Sequence, residues 1–172
     1  MKEPLVSVLM PYYGGFEFIE EAIKSLENQT YKNFELIVVD DCFPGIRASE
    51  VLDPFNFSWL KVIRHDANKG LASVRNTGFE NSQGELILPF DDDDLLEPQF
   101  LEKTVAALVH DTTAVGAYSQ VAIFGDREET WIPLFTLVTC GTLGAVDDYI
   151  SVKGIGKNKG MSASLIKCST EK

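Results

Sequence analysis

Four short strand-like runs, each followed by residues at helical spacing, constrain this chain more than any other feature. The runs are residues 5–10, 34–39, 60–64 and 85–90. They are short and largely apolar, as expected of strands buried on both faces. Pro11 and Gly14-Gly15 turn the first run into a loop. Phe18, Ile19, Ala22, Ile23 and Leu26 then recur at helical spacing, with Glu17, Glu20, Glu21, Lys24 and Glu27 between them. That is an amphipathic helix, and its early glutamates suit the positive end of the macrodipole. A short helical piece is expected over 48–52 and a helix over 71–79. Pro98 opens another, with Phe100, Leu101, Val105, Leu108 and Val109 as its buried stripe. Strand and helix thus alternate through four units over residues 5–110. The expected fold is α/β and Rossmann-like, a mostly parallel central sheet flanked by helices. In such sheets ligands bind beyond the carboxyl ends of the strands.

From residue 113 the pattern changes. Residues 114–124 and 131–138 read as extended, with a turn at 125–129 between them, and 161–166 as a last short strand. Asp147-Asp148 and the Gly/Lys-rich stretch 153–160 are polar loops. The length of 172 residues fits one domain. Its expected halves are residues 1–112 and a smaller β-rich part over 113–172.

The charge is uneven. The chain holds 26 acidic against 15 basic residues, net −11, and 18 of the acids but only 8 of the bases lie in residues 1–98. An acidic surface argues against nucleic-acid or anionic-membrane binding, which needs Lys/Arg patches. No apolar run approaches the ~18 residues of a membrane-crossing helix, and no leader peptide is expected. Cys42, Cys140 and Cys168 are odd in number and far apart, so they read as free thiols in a reducing compartment.

Six of the acids sit at two strand ends, Asp40-Asp41 and the run Asp91-Asp92-Asp93-Asp94. In extended backbone, residues i and i+2 share a face about 7 Å apart. Like charges at that distance repel by roughly 2 kcal/mol at an effective dielectric of ~20. A divalent cation removes that repulsion, and Mg²⁺ typically combines one or two carboxylates with substrate phosphates. The alternative is a solvated acidic turn, with Asp94 capping the helix that follows. The spacing is not that of an EF-hand loop.

The order of these segments resembles family 2 glycosyltransferases of the GT-A fold. The resemblance is carried by Val6-Ser-Val-Leu-Met-Pro-Tyr-Tyr13, by Glu21-Ala-Ile-Lys-Ser-Leu-Glu-Asn-Gln-Thr-Tyr31 and by Phe34-Glu-Leu-Ile-Val-Val-Asp-Asp41. It continues in Asn68-Lys-Gly-Leu-Ala-Ser-Val-Arg-Asn76, similar to the family's N-x-G-x-x-x-x-R-N, and in residues 84–94, similar to its G-E-x-I-x-x-x-D-x-D-D. The resemblance implies a nucleotide-diphospho-sugar donor, most often a UDP-sugar, held in the first half. Pro11 and Tyr13 would line the base pocket, Asp41 would accept from a base N–H, and Arg75 would sit near the phosphates. Asn68 and Gly70 would shape the loop and helix start on the donor side. Asp92 would reach the ribose, and Asp93 with Asp91 would hold Mg²⁺ or Mn²⁺. The sugar would pass, with inversion, to a hydroxyl of a carbohydrate, a lipid-linked sugar or another acceptor.

The pattern departs from the family where Asn commonly follows the tyrosines, here Gly14, and where Gly-Ser commonly follows the acidic pair, here Cys42-Phe43. The resemblance places the general base on a segment beyond Lys172, so residues 1–172 are expected to bind donor but transfer sugar poorly. Trp131 and the loop 153–159 are acceptor-side candidates. Nucleotide sugars are made in the cytoplasm, so the chain is expected to work there or as a peripheral protein at the inner membrane face.

Overall fold

The computed structural model describes residues 3–55, 57–119 and 164–167. They belong to one compact unit, Met1–Ser119 with Ala163–Lys172. The elements run β1 (Val6–Tyr12), α1 (Ile19–Glu27), β2 (Phe34–Asp40), α2 (Ala48–Leu52), β3 (Leu60–Arg64), α3 (Leu71–Glu80), β4 (Leu86–Pro89), α4 (Phe100–His110), β5 (Gly116–Tyr118) and β6 (Ser164–Lys167). The sheet order is β3-β2-β1-β4-β6-β5. The first four strands are mutually parallel, and β6 runs antiparallel between β4 and β5. The mixed α/β sheet flanked by helices is therefore as expected.

Both faces of the sheet are covered, which is why β1 reads as continuously apolar. Val6, Val8, Met10 and Tyr12 pack on one face with Ile19, Ala22, Ile23 and Leu26 of α1 and with Leu101, Val105 and Leu108 of α4. Leu9 packs on the other face with Ile37, Val39, Ile87 and Val74 of α3. The strip on α1 follows the i, i+3, i+4, i+7 rule.

The start of α4 is set by a residue distant in the chain. α4 begins at Phe100 rather than Pro98, and its flanking residue Gln99 makes no side-chain cap. Gln29, fully buried, supplies it instead: its Oε1 accepts the Leu101 N–H at 3.0 Å, and its Nε2 donates to Glu97 O at 2.8 Å and Ser25 O at 3.2 Å. Asp94 is not the cap of that helix.

Gly84 is required by a close approach. A Cβ there would lie 2.6 Å from the Ser7 backbone N and 2.8 Å from Leu5 O. The contact is held by hydrogen bonds from Gly84 N–H to Ser7 Oγ at 2.8 Å, from Ser7 Oγ to Glu35 Oε1 at 2.5 Å and from Gln83 N–H to the same oxygen at 2.7 Å. No rotamer change relieves a clash with backbone. Gly84→Ala is expected to cost about 1–3 kcal/mol, read as a lower thermal midpoint. An unchanged midpoint would show that the 83–84 turn can lift off β1.

Of the later segments, the extended stretch expected over 114–124 is a strand only at Gly116–Tyr118 within the described residues. The last strand, expected over 161–166, is described at Ser164–Lys167, and residues 161–163 lie outside the described residues. Residues 125–138, Trp131, Asp147-Asp148 and the loop 153–159 lie outside the described residues.

Candidate functional site

The carboxyl ends of β1, β2, β3 and β4 share one edge of the parallel sheet, and the singled-out residues of the first half gather along it. Asp40 and Asp41 stand side by side at the end of β2 with different surroundings. The Asp40 carboxylate, 1% exposed, pairs with Arg64 and accepts the N–H groups of Phe43 at 3.0 Å and Ala48 at 3.1 Å. Arg64 also donates to Phe43 O at 3.0 Å. This pair folds residues 41–48 into a fixed loop and starts α2.

Asp41 is also buried, and it organises the next segment. Its Oδ1 accepts from the Lys69 N–H at 2.8 Å and lies 2.7 Å from His65 Nδ1, and its Oδ2 accepts the Gly70 N–H at 2.7 Å. Burial alone would push its carboxyl up. Donation from Lys69 N–H, from His65 and from Gly70 N–H outweighs that, and the group is held below its ordinary value. A carboxylate only accepts, so His65 presents Nδ1–H to it. His65 Nε2 lies 2.8 Å from Thr77 Oγ1 on α3. With three of about four acceptor positions filled, Asp41 keeps one on Oδ2.

His65 was not singled out from the sequence. The signal was available in the parallel register. Asp40 pairs with Arg64, so the next residues, Asp41 and His65, fall side by side. Asn68 is exposed on the same segment. Gly70 flanks α3 with φ +82°, a left-handed backbone in which open space alone would not admit a side chain. Cys42 takes φ +58°, the one non-glycine residue with positive φ among the described residues.

The acidic run is not extended. It folds into a tight turn, with the Asp94 N–H directed to Asp91 O at 3.3 Å. The alternation expected of an extended strand is therefore replaced by carboxylates crowded around one turn. Asp93 is exposed, and Asp91, Asp92 and Asp94 are half-buried. Burial, and then the charges of Asp91 and Asp93, push the Asp94 carboxyl up to about 6. Arg75, from α3, reaches Asp91 at 3.3 Å. Its Nε is buried and has no partner among the described residues. Gly15 lets the β1 loop reach this turn, because a Cβ there would sit 2.2 Å from Asp92 Oδ2.

Tyr13 and Pro11 complete the edge. Pro11 lies opposite Val39 next to the last residue of β1, Tyr12, and Tyr13 just beyond the strand is 54% exposed. The Tyr13 ring packs on Phe43 at 5.3 Å between centroids, with 75° between planes.

The residues present fit a divalent cation bound with an anionic ligand. Negative charge is crowded at the turn, and Arg75 has an unused donor beside it. Among the described residues no three His, Cys, Asp or Glu side chains form a metal cage.

A mostly parallel sheet with this grouping along its carboxyl edge is the architecture of GT-A glycosyltransferases. S. aureus TarS 1-349 in complex with UDP-GlcNAc superposes with a TM-score of 0.65 at 26% identity, over 73% of this chain and 36% of that one. A mannosyltransferase from Pyrobaculum calidifontis, in complex with GDP-Man and Mn²⁺, shares the fold with a TM-score of 0.58 at 21% identity, over 67% of this chain and 35% of that one. In sequence, the UDP-Glc:alpha-D-GlcNAc-diphosphoundecaprenol beta-1,3-glucosyltransferase WfgD of Escherichia coli is 34% identical over 109 residues, 63% of this chain and 43% of that protein. Residues 7–169 match the family model described as Glycosyl transferase family 2, and the chain belongs to that family. It spans about a third to two-fifths of the length of several curated relatives that it matches. Among the described residues no helix is long and apolar enough to cross a membrane.

Proposed function

We propose that this chain carries the donor side of a glycosyltransferase that moves a sugar from a nucleotide-diphospho-sugar, a UDP-sugar by preference, to an acceptor hydroxyl with inversion. The observation that carries this reading is the convergence of the 91–94 turn, Arg75 and the exposed Tyr13 on one sheet edge. A diphosphate needs charge neutralisation and a base needs an aromatic face, and the edge offers both, at the neighbouring ends of β4 and β1. Asp93, with Asp91 beside it, would hold Mg²⁺ or Mn²⁺, which when bound would supply neutralisation of the negative charge on the leaving diphosphate. Arg75 turns its unused donors to the phosphates, and Asp92 reaches the ribose. Tyr13 and Pro11 line the base, and the remaining acceptor position of Asp41 meets a base N–H. Asn68 and Gly70 hold the segment that closes this side. Residues 1–112 are the donor half and 113–172 belong to the acceptor side. The acceptor is a carbohydrate, a lipid-linked sugar such as the one WfgD's name specifies, or another hydroxyl compound.

Calorimetric titration with UDP, GDP, dTDP and UDP-sugars, with and without Mn²⁺, tests this. Wild type is expected to bind UDP compounds much more tightly with Mn²⁺ than without. Asp93 is exposed, so Asp93→Ala is expected to keep the fold and lose the metal-dependent gain. Equal, metal-independent binding by both proteins would overturn the assignment.

A further inference from the structure

Phe43 is held in the fold more tightly than a loop residue needs to be. Its N–H is taken by Asp40 at 3.0 Å and its carbonyl by Arg64 at 3.0 Å. Three residues on, Ile46 O accepts the Tyr12 hydroxyl at 2.8 Å. The ring itself is wedged between two glycines. A Cβ on Gly14 would lie 2.7 Å from its Cε2 and Cζ, and a Cβ on Gly45 would lie 2.6 Å from its Cε1. The ring thus occupies the space where side chains at 14 and 45 would stand. It meets Tyr12 edge-on at 6.2 Å and Tyr13 at 5.3 Å.

We propose that Phe43 is a specificity-determining residue of the donor site, a side wall that admits a one-ring base against Tyr13 and excludes a two-ring base. This rests on the proposed reading of Tyr13 as the base-side aromatic. Two rings at 75° make a corner, so a planar group lying on one face is bounded laterally by the other ring. The backbone ties to Asp40 and Arg64 stop the wall from swinging out. Gly14 belongs to the same device. Its missing side chain is what lets the ring reach Tyr13, and its φ of +95° is a backbone that glycine adopts without strain.

The test is the ratio of UDP to GDP affinity with Mn²⁺, measured by calorimetry on wild type, Phe43→Ala, Phe43→Leu, Gly14→Ala and the double variant Gly14→Ala/Phe43→Ala. Thermal midpoints are recorded for each. Wild type is expected to prefer UDP, and Phe43→Ala to lower the ratio about tenfold, the order of discrimination an apolar wall supplies. Phe43→Leu keeps most of the volume and is expected to fall between. Gly14→Ala displaces the ring and is expected to lower the ratio by itself; its φ of +95° also strains an alanine, so the thermal midpoint is expected to fall in both backgrounds while the further loss of ratio is smaller once Phe43 is Ala. A ratio that stays at the wild-type value in Phe43→Ala, or a loss equal for both nucleotides, would overturn the proposal. Failure of wild type to bind any nucleotide diphosphate would instead overturn the donor-site reading on which it stands.

Discussion

Asp41→Ala is expected to release the segment 65–70 from the sheet edge and to abolish tight donor binding, while the rest of the sheet stays folded. The side chain accepts from Lys69 N–H, Gly70 N–H and His65. Removing it leaves three donors without an acceptor, each costing about 1–3 kcal/mol if it stays buried. The segment is short and exposed around Asn68 and Lys69, so it can lower that cost by opening to water. The loss is therefore expected as local opening more than as global unfolding. Hydrogen exchange reads it directly: the amides of Lys69 and Gly70 lose protection. So does Val74, whose N–H bonds Gly70 O in the first turn of α3. Unchanged protection at 69 and 70 would mean that Asp41 does not hold the segment.

The same contacts fix a pH dependence. Asp41 is held below its ordinary value in the fold. Its stabilisation is complete above the unfolded value of about 3.9. As pH falls below that, the unfolded chain takes up the proton first, and the contribution fades until the folded carboxyl also protonates. The stability gap between wild type and Asp41→Asn is thus expected to be constant near neutrality and to shrink only below about pH 4. A gap that closes between pH 5 and 7 would show that a group other than Asp41 governs it.

Which features were legible in the sequence follows from how local their causes are. The parallel core was readable because each of the four strands carries its own apolar run, and α1 its own stripe. The start of α4 was not, because its cap comes from Gln29, some 70 residues earlier in the chain. The placement of β6 between β4 and β5 depends on pairing across the whole chain, and nothing within 164–167 announces it. The acidic run was recognisable as a site by composition, yet its turn was not, because an Asp-rich stretch after a strand is compatible with either form. His65 went unnoticed, and Phe43 stood out only as a departure from the family pattern, for a related reason. Each is ordinary as a residue type, and each gains its role from a neighbour on another strand end.

Asp40→Ala is expected to be the costliest single change to stability, at about 3 kcal/mol, the low end for breaking a buried ion pair. Asp40 is almost wholly buried, whereas Arg64 is 30% exposed and can recover part of its hydration once abandoned. The change also strands the N–H groups of Phe43 and Ala48. Arg64→Leu is expected to cost less, because Asp40 would keep those two donors. The double variant Asp40→Ala/Arg64→Leu separates the two costs. If the unpaired guanidinium dominates, it is more stable than Asp40→Ala alone, and denaturant melts of the three variants show a favourable coupling. If the stranded N–H groups dominate, the double variant is no better than Asp40→Ala, and the pair is a scaffold for the loop rather than an electrostatic lock. Either balance leaves Phe43 without its tie to Asp40. The loss of UDP over GDP preference expected of Phe43→Ala should therefore reappear, in weaker form, in Asp40→Ala at temperatures where that variant is still folded. An unaltered preference there would mean that the two glycines and Tyr13, rather than the ion pair, keep the ring in position.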